Sequence, residues 1–195
     1  YCYYLEKKSL YGEEESYRMS DDVLEATIRK TIEAQDAPTV DFGWQGGEPT
    51  LLGVDFFRRV VELQKRYAGG KEVHNSIQTN ATKIDDEWAA FLAENRFLVG
   101  VSIDGPADLH DAYRKDRRGG PSHEQVMRGI RTLQKHGVDF NTLTVVHRVN
   151  APHPLKVYRF LRKLGSRYMQ FIPIVERIPD ERAREMGLDL SLPPK

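Results

Sequence analysis

The sequence predicts a parallel α/β fold in which helices and strands alternate along the chain. Two observations support it: five helical stripes of apolar residues follow one another, and short runs rich in β-branched or aromatic residues separate them. Several of these runs are apolar almost throughout, which is typical of strands that helices cover on both faces. The connections are too long for hairpins, so the repeated unit forms either an open sheet or a TIM-like barrel.

Each predicted helix has apolar residues at intervals of three or four positions. The stripes are Leu24, Ile28 and Ile32; Phe56, Val60, Leu63 and Tyr67; Trp88, Phe91 and Leu92; Val126, Ile130 and Leu133; and Val157, Phe160, Leu161 and Leu164. Asp85 precedes the third helix, and Ser122 with Gln125 predicts a capping box on the fourth. Gly137 and Gly165 stand where the last two helices should end.

Polar and glycine-rich residues follow the predicted strands. The strands are Thr39 to Trp44, Val73 to Thr79, Phe97 to Ile103, Phe140 to His147 and Tyr168 to Val175. The residues at their ends are Gln45 to Pro49, Thr79 and Asn80, Ser102 with Asp104 and Gly105, and His147. Because active sites of parallel α/β folds lie at the carboxyl ends of the strands, we expect these segments to face a common ligand.

Composition excludes several classes of protein. The 195 residues are 39% hydrophobic, and 29 basic residues balance 29 acidic ones. A net charge of zero argues against a nucleic-acid partner or a membrane surface, and no apolar run approaches the roughly 20 residues of a membrane-spanning helix. The single cysteine, Cys2, excludes an intrachain disulfide and a secreted disulfide scaffold. We therefore expect a soluble, cytoplasmic protein.

The two ends of the sequence predict a fragment of a longer protein. The chain opens on Tyr1 and Cys2 without a methionine or a signal peptide. The segment from Pro179 to Pro194 is charged and contains prolines, as expected of a short helix or a linker that leads out of the domain.

Three places in the chain are candidates for ligand binding. Gly46 and Gly47 permit a tight turn, but they also let a backbone approach a ligand, while Glu48 can accept from an ammonium group. Arg114 lies in a charged loop. The loop is either a solvated surface, or it places the Arg114 guanidinium where it binds a ligand carboxylate in bidentate fashion. Ser102 places a hydroxyl in an apolar strand, where it either bonds to the backbone or contacts a ligand at the mouth of the barrel. The six histidines show no metal-binding spacing, and most are expected at the surface or at helix caps.

The combined motifs resemble those of radical S-adenosylmethionine (SAM) enzymes, and most closely those of the anaerobic sulfatase-maturating enzymes. The resemblance rests on Tyr1 to Lys7, Trp44 to Gly53, Ile77 to Asn80, Ser102 to Pro106, His110 to Arg114, Phe140-Asn141 and Gln170 to Pro173. It implies a partial (β/α)6 barrel over residues 1–178 that lacks its first strand. Residues 179–195 would then lead toward a cysteine-rich domain with auxiliary 4Fe-4S clusters.

The resemblance also implies a site. Cys2 would be the third cysteine ligand of a 4Fe-4S cluster whose remaining iron position takes the amino and carboxylate groups of S-adenosylmethionine. Gly46, Gly47 and Glu48 would receive the methionyl ammonium, and Ser102 and Arg114 would bind the ribose or the methionyl end. The adenine would lie against Tyr1 and the backbone of Val175. The resemblance assigns no catalytic base to these residues.

The implied reaction begins with reductive cleavage of S-adenosylmethionine to a 5′-deoxyadenosyl radical, which takes a hydrogen from Cβ of a cysteine or serine in a sulfatase polypeptide. Loss of a further electron and a proton gives Cα-formylglycine from serine, while cysteine gives a thioaldehyde that water converts to Cα-formylglycine with release of hydrogen sulfide. The implied partners are that polypeptide and an electron donor such as a flavodoxin or ferredoxin.

Two alternatives remain open. One is another peptide maturase of the same superfamily, which forms a thioether or a quinone cofactor and shares the Gly-Gly-Glu-Pro and cluster motifs. The other is a non-catalytic α/β domain that binds a small amino-acid-like ligand and holds no iron.

Overall fold

A computed structural model describes residues 18–174, in which helices and strands alternate as predicted. The elements are α1 (Asp21–Glu33), β1 (Thr39–Trp44), α2 (Val54–Tyr67), β2 (Glu72–Thr79), α3 (Asp86–Glu94), β3 (Leu98–Ser102), α4 (Ala107–His110), α5 (His123–Lys135), β4 (Phe140–Val146), α6 (Pro154–Lys163) and β5 (Met169–Pro173). A 3-10 turn at Pro49–Leu52 and the short α4 were not predicted. None of the helices in this part of the chain has the length and apolar character needed to cross a bilayer.

The five strands form one parallel sheet in the order β1-β2-β3-β4-β5. In a doubly wound sheet the strand order reverses, which places helices on both faces. Here it never reverses, so right-handed crossovers leave every connecting helix on the same face. The sheet curls into a half-barrel, and of the two predicted arrangements the barrel type is the one observed.

The two faces of the sheet differ in exposure, which corrects the prediction of strands covered on both sides. Along β3, Val99 and Val101 are fully buried against helices, whereas Gly100 and Ser102 are only half-buried. The other strands alternate in register with β3. We call the less buried side the concave face, and it includes Gly43, Ser76, Gln78, Gly100, Ser102, Asn141 and Leu143. In the described residues no helix covers it.

Four of the five helices pack through the stripes predicted from the sequence. Leu24, Ile28 and Ile32 are the buried residues of α1, and the stripes of α5 and α6 are buried at almost every position. On α2, Val60 and Leu63 are buried as predicted, but Phe57 is buried where Phe56 was predicted. Phe57 makes edge-to-face contacts with the rings of Trp44 and Trp88, at centroid distances of 5.6 and 5.5 Å. Burial of each such side chain contributes about 1.5–3 kcal/mol, so these contacts anchor β1 to the helical layer.

A buried polar triad fixes the carboxyl end of β1. The Trp44 indole Nε1 donates to Asn75 Oδ1 at 2.8 Å, and the Asn75 and Gln64 amides donate to each other at 2.8 and 2.9 Å. These bonds satisfy groups that would be costly to bury alone. They hold the residue directly before the glycine-rich loop.

The helix ends follow the predictions in three cases and depart from them in one. Asp85 caps α3 by accepting from Trp88 N at 2.9 Å. Gly137 and Gly165 follow the ends of α5 and α6 with φ values of 68° and 82°. The predicted capping box of α5 is wrong, because the Ser122 side chain makes no cap hydrogen bond. Instead, Asp111 Oδ1 accepts from the backbone N–H groups of Ser122 and His123 at 2.8 and 2.9 Å.

Candidate functional site

A cavity of about 370 Å³ opens on the concave face of the half-barrel. Its walls are strand residues with mostly small or uncharged polar side chains. They are Gly43, Trp44, Gln45, Ser76, Ile77, Gln78, Leu98, Gly100, Asn141, Thr142, Leu143, Tyr168, Met169 and Gln170. The cavity reaches the carboxyl ends of β1 and β2, whereas β3, β4 and β5 line it with residues of their amino-terminal halves.

The glycine-rich loop follows β1 at this edge of the cavity. Gly46 and Gly47 have φ values of 122° and 49°, which non-glycine residues rarely adopt. A Cβ added to Gly47 would meet no atom within 4 Å. The loop is therefore shaped by backbone conformation, and its backbone at Gly47 is open to an approaching ligand.

The Glu48 carboxylate ties this loop to the end of β2. Oε1 accepts from Thr50 N at 3.1 Å, Thr50 Oγ1 at 2.6 Å and Thr79 Oγ1 at 2.7 Å. Oε2 accepts from Asn80 N at 2.8 Å. The structure thus gives Glu48 a positioning role that the sequence did not predict, and its contact with a ligand ammonium stays a prediction.

Ser102, at the end of β3, faces the concave side and receives a hydrogen bond from the neighbouring strand. Gln78 Nε2 donates to Ser102 Oγ at 3.1 Å. Gln78 pairs with Gly100 in the sheet, and its amide lies across the space above that glycine. The hydroxyl is half-buried beside the cavity, where a ligand could reach it.

Arg114 forms a bidentate ion pair with a carboxylate of the protein itself. Its Nε and Nη2 donate to the two oxygens of Asp104 at 2.6 and 3.1 Å. The Asp104 side chain is fully buried, and its Oδ1 also accepts from Val145 N at 2.9 Å. The Nε and Nη2 groups of Arg114 thus hold a carboxylate of the protein itself, and the contact of Arg114 with a ligand carboxylate stays a prediction.

A buried histidine connects the same region to α5. Asp104 N donates to His110 Nδ1 at 3.2 Å, so Nδ1 is the acceptor and Nε2 carries the proton. Nε2 lies 3.1 Å from Ser122 Oγ, which donates to the Arg114 carbonyl at 2.8 Å. Burial lowers the pKa of His110 to about 4, so the ring is neutral near pH 7.

Several predicted site residues lie outside residues 18–174, namely Tyr1, Cys2 and Val175. Within the described part, no group of three or more His, Cys, Asp or Glu side chains is placed to hold a metal ion. Burial lowers the pKa values of His123 and His147. His110 and His147 are fully buried, and they are the exceptions to the expectation that most histidines lie at the surface or at helix caps.

Comparison with protein-family models decides the family. The model of the radical SAM superfamily matches residues 1–161. The chain belongs to the radical SAM superfamily. This assignment agrees with the half-barrel and with the resemblance found in the sequence motifs.

Curated relatives place this radical SAM chain beside the sulfatase-maturating enzymes. It is 50% identical over 178 residues to a serine-type anaerobic sulfatase-maturating enzyme of Bacteroides thetaiotaomicron, covering 91% of the chain and 43% of that protein. It is 37% identical over 185 residues to a cysteine-type anaerobic sulfatase-maturating enzyme of Clostridium perfringens, and the alignment covers 94% of this chain and 50% of that protein. The chain thus spans about half the length of these relatives.

Solved structures share the radical SAM fold of this chain. Native anSMEcpe with bound AdoMet aligns with a TM-score of 0.82 at 37% identity, covering 91% of this chain and 48% of that chain. Native anSMEcpe with bound AdoMet and Kp18Cys peptide aligns with a TM-score of 0.83 at 36% identity, covering 98% and 50%. Streptococcus suis SuiB bound to S-adenosylmethionine, at 14% identity and a TM-score of 0.63, shares the fold alone.

The structure brings the described candidates of this radical SAM chain to one rim. Gly46, Gly47 and Glu48 follow β1, Ser102 ends β3, and Arg114 is held by the aspartate just beyond β3. Sequence reasoning missed the roles of Gln78 and of Asn150, whose Nδ2 donates to Asp104 O at 3.2 Å and Val145 O at 2.8 Å. A polar side chain inside or just beyond a buried strand was the available signal for both.

Proposed function

We propose that this chain is the barrel region of a sulfatase-maturating enzyme that converts a serine or cysteine of a sulfatase polypeptide to Cα-formylglycine. The observation that carries the proposal is the 50% identity to a serine-type enzyme of this kind over 91% of the chain. The cysteine-type relatives at 36–39% identity support the same chemistry with the other target residue.

The rim suits S-adenosylmethionine in three respects. The open backbone at Gly47 accommodates a ligand at van der Waals distance, and we propose that Gly46 and Gly47 receive its ammonium group with Glu48 holding their loop in place. The Ser102 hydroxyl offers a hydrogen bond to a ribose or carboxylate oxygen. Arg114 is held at the same rim by its ion pair with Asp104, and we propose that its guanidinium also contacts the methionyl carboxylate.

The remaining cofactor contacts fall on residues outside 18–174. We propose Cys2 as one thiolate ligand of a 4Fe-4S cluster, since thiolate is the ligand that such clusters take. Tyr1 and the backbone of Val175 are proposed contacts of the adenine. When bound, the cluster and S-adenosylmethionine supply a one-electron reduction and the hydrogen-abstracting group, and the protein orients them and excludes water.

The concave face suits a peptide as substrate. Its cavity carries the amide side chains of Gln45, Gln78, Asn141 and Gln170, and no charged side chain of residues 18–174 lines it. Side-chain amides both donate and accept hydrogen bonds, as the backbone of an extended peptide requires. We propose that a sulfatase polypeptide binds there.

Two further proposals complete this account. The electron donor is a flavodoxin or ferredoxin. The chain divides into a barrel over residues 1–178 and a linker over residues 179–195.

The test uses the full gene product, reconstituted with iron and sulfide without oxygen and reduced in the presence of S-adenosylmethionine. Three sulfatase-motif peptides that differ only in serine, cysteine or alanine at the target position are the substrates. We expect 5′-deoxyadenosine together with an aldehyde-containing peptide from serine, cysteine or both, and no modified alanine peptide, as read by mass spectrometry.

Two other outcomes would overturn this proposal. Cleavage of S-adenosylmethionine without any peptide aldehyde would move the protein to another maturase chemistry of the same superfamily. Absence of both binding and cleavage of S-adenosylmethionine would return the chain to a non-catalytic ligand-binding domain. The control is Glu94→Gln, a substitution at the exposed end of α3. This variant is reconstituted and assayed in the same way and should give the same products as the wild-type protein.

A further inference from the structure

Gln78 and Ser102 form a hydrogen-bonded pair across two strands on the concave face. Gln78 Nε2 donates to Ser102 Oγ at 3.1 Å, and both side chains are half-buried. Gln78 pairs with Gly100 in the register of β2 and β3, so the amide must cross over Gly100 to reach the serine two residues farther along β3. The contact therefore depends on what occupies position 100.

Gly100 provides the space for this crossing. A Cβ at position 100 would overlap Gln78 Oε1 and would lie 2.9 Å from its Cδ. The φ of Gly100 lies outside the left-handed region, so backbone conformation does not require glycine there. The glycine leaves a path along which the Gln78 amide lies flat against the sheet.

The hydrogen bond determines which way the Ser102 hydroxyl can donate. A hydroxyl has one hydrogen to donate and two lone pairs, and the Gln78 N–H occupies one lone pair. Among the residues that the structure describes, no acceptor is bonded to the Ser102 hydrogen. Since Gln78 acts as a donor, the hydroxyl hydrogen is directed to an acceptor outside this pair.

From these contacts we propose that Gln78 is a positioning residue that orients Ser102 as a hydrogen-bond donor toward an oxygen of the cofactor. The inference rests on the proposed binding of S-adenosylmethionine at this rim and goes beyond it by assigning a role to Gln78 and to the small size of Gly100. Gln78 acts through Ser102, so its effect on the cofactor requires the serine hydroxyl.

The experiment measures the dissociation constant of S-adenosylmethionine for the anaerobically reconstituted full gene product by titration calorimetry. Gln78→Ala removes the donor, and we expect the dissociation constant to rise about fivefold, the effect of one neutral hydrogen bond. Gln78→Glu replaces the donor with an acceptor that captures the Ser102 hydrogen, and we expect a rise of about tenfold or more.

A double-mutant cycle separates positioning from an independent contact. In a Ser102→Ala background, Gln78→Ala should change the dissociation constant by less than about twofold, because the group through which it acts is gone. Gly100→Ala displaces the amide without removing it and should reproduce the loss seen with Gln78→Ala. The matched control is Gln125→Ala on α5, which should leave the dissociation constant unchanged.

The outcomes distinguish the two proposals. A wild-type protein that binds no S-adenosylmethionine overturns the proposed function itself. Two results with a wild-type protein that binds S-adenosylmethionine would overturn only the role of Gln78. In the first, Gln78→Ala has the same dissociation constant as wild type. In the second, Gln78→Ala raises the dissociation constant by the same factor whether residue 102 is serine or alanine. A thermal midpoint of Gln78→Ala that matches wild type, together with the weaker binding and the non-additive cycle, supports the positioning role.

Discussion

Both carboxylate oxygens of Asp104 accept hydrogen bonds from one edge of the Arg114 guanidinium, at 2.6 and 3.1 Å. The aspartate lies directly beyond β3 and is fully buried, while the arginine comes from the loop after α4 and is one-fifth exposed. Asp104 Oδ1 also accepts from Val145 N in β4. One ion pair thus joins two strands and a loop at the rim where the cofactor is proposed to bind.

Arg114→Ala should destabilise the protein and weaken cofactor binding together. It removes the guanidinium that neutralises a buried carboxylate, so we expect the free energy of unfolding to fall by about 3 kcal/mol. The affinity for S-adenosylmethionine should fall by about 2 kcal/mol. The control is Arg117→Ala, in the exposed part of the same loop. Its free energy of unfolding, measured with urea, should lie within about 0.5 kcal/mol of the wild-type value. Equal stability of the two variants would contradict this role of the ion pair.

Glu48→Gln should disturb the glycine-rich loop even though it preserves the size of the side chain. The carboxylate accepts from four donors of Thr50, Thr79 and Asn80, and an amide presents N–H groups to at least one of them. We expect a loss of about 2 kcal/mol in the free energy of unfolding and weaker binding of S-adenosylmethionine. Glu94→Gln should cause neither change. A Glu48→Gln protein as stable as Glu94→Gln would show that these bonds contribute little.

Gly129→Ala tests the packing of α5 against the loop after β2. A Cβ at Gly129 would overlap the Ala81 carbonyl oxygen and lie 3.1 Å from the carbonyl carbon, so backbone must move. We expect a loss of about 3 kcal/mol in urea unfolding. The comparison variant is Gly137→Ala. A Cβ at position 137 would meet no atom within 4 Å, but the φ of 68° is unfavourable for alanine. We expect this variant to lower the free energy of unfolding by about 1–2 kcal/mol. A smaller loss for Gly129→Ala than for Gly137→Ala would contradict the packing argument.

Periodicity in the sequence was sufficient to predict the helical layer and the strands. The stripe Leu24, Ile28 and Ile32 is buried as predicted, and the first strand, Thr39 to Trp44, has the predicted bounds. Both patterns are local, because a helix or a strand repeats its buried face every few residues. The short α4, only four residues long, has too few positions to show such a pattern.

The partners of the polar residues could not be predicted, since they depend on contacts between distant segments. Ser122 directly precedes α5 as expected, but its hydroxyl donates to the Arg114 carbonyl because the loop that carries Arg114 folds back against it. Arg114 was predicted as a site residue, whereas its pairing with Asp104 depends on how the loop folds against β3. Likewise, Gln78 reaches Ser102 only because the sheet places Gly100 between them.

His110 should make the protein less stable as the pH falls below neutrality. Burial lowers its pKa from 6.5 to about 4, so between these values the unfolded chain takes up a proton that the folded protein resists. The contribution of His110 to the free energy of unfolding is therefore fully present above pH 6.5. It decreases as the pH falls and is lost near pH 4, a total change of about 3 kcal/mol. Urea unfolding across this range should show a smaller pH dependence for His110→Gln than for wild type. Identical slopes would contradict the assignment.

The most direct test of the proposed chemistry follows a hydrogen atom from the peptide. Two sulfatase-motif peptides, with a target serine or a target cysteine that carries deuterium at both Cβ positions, are incubated with the reconstituted full gene product, and the 5′-deoxyadenosine is analysed by mass spectrometry. The proposed function predicts deuterium in the 5′-deoxyadenosine and an aldehyde in the peptide for serine, cysteine or both. Deoxyadenosine without deuterium, formed beside an unchanged peptide in both cases, would contradict it.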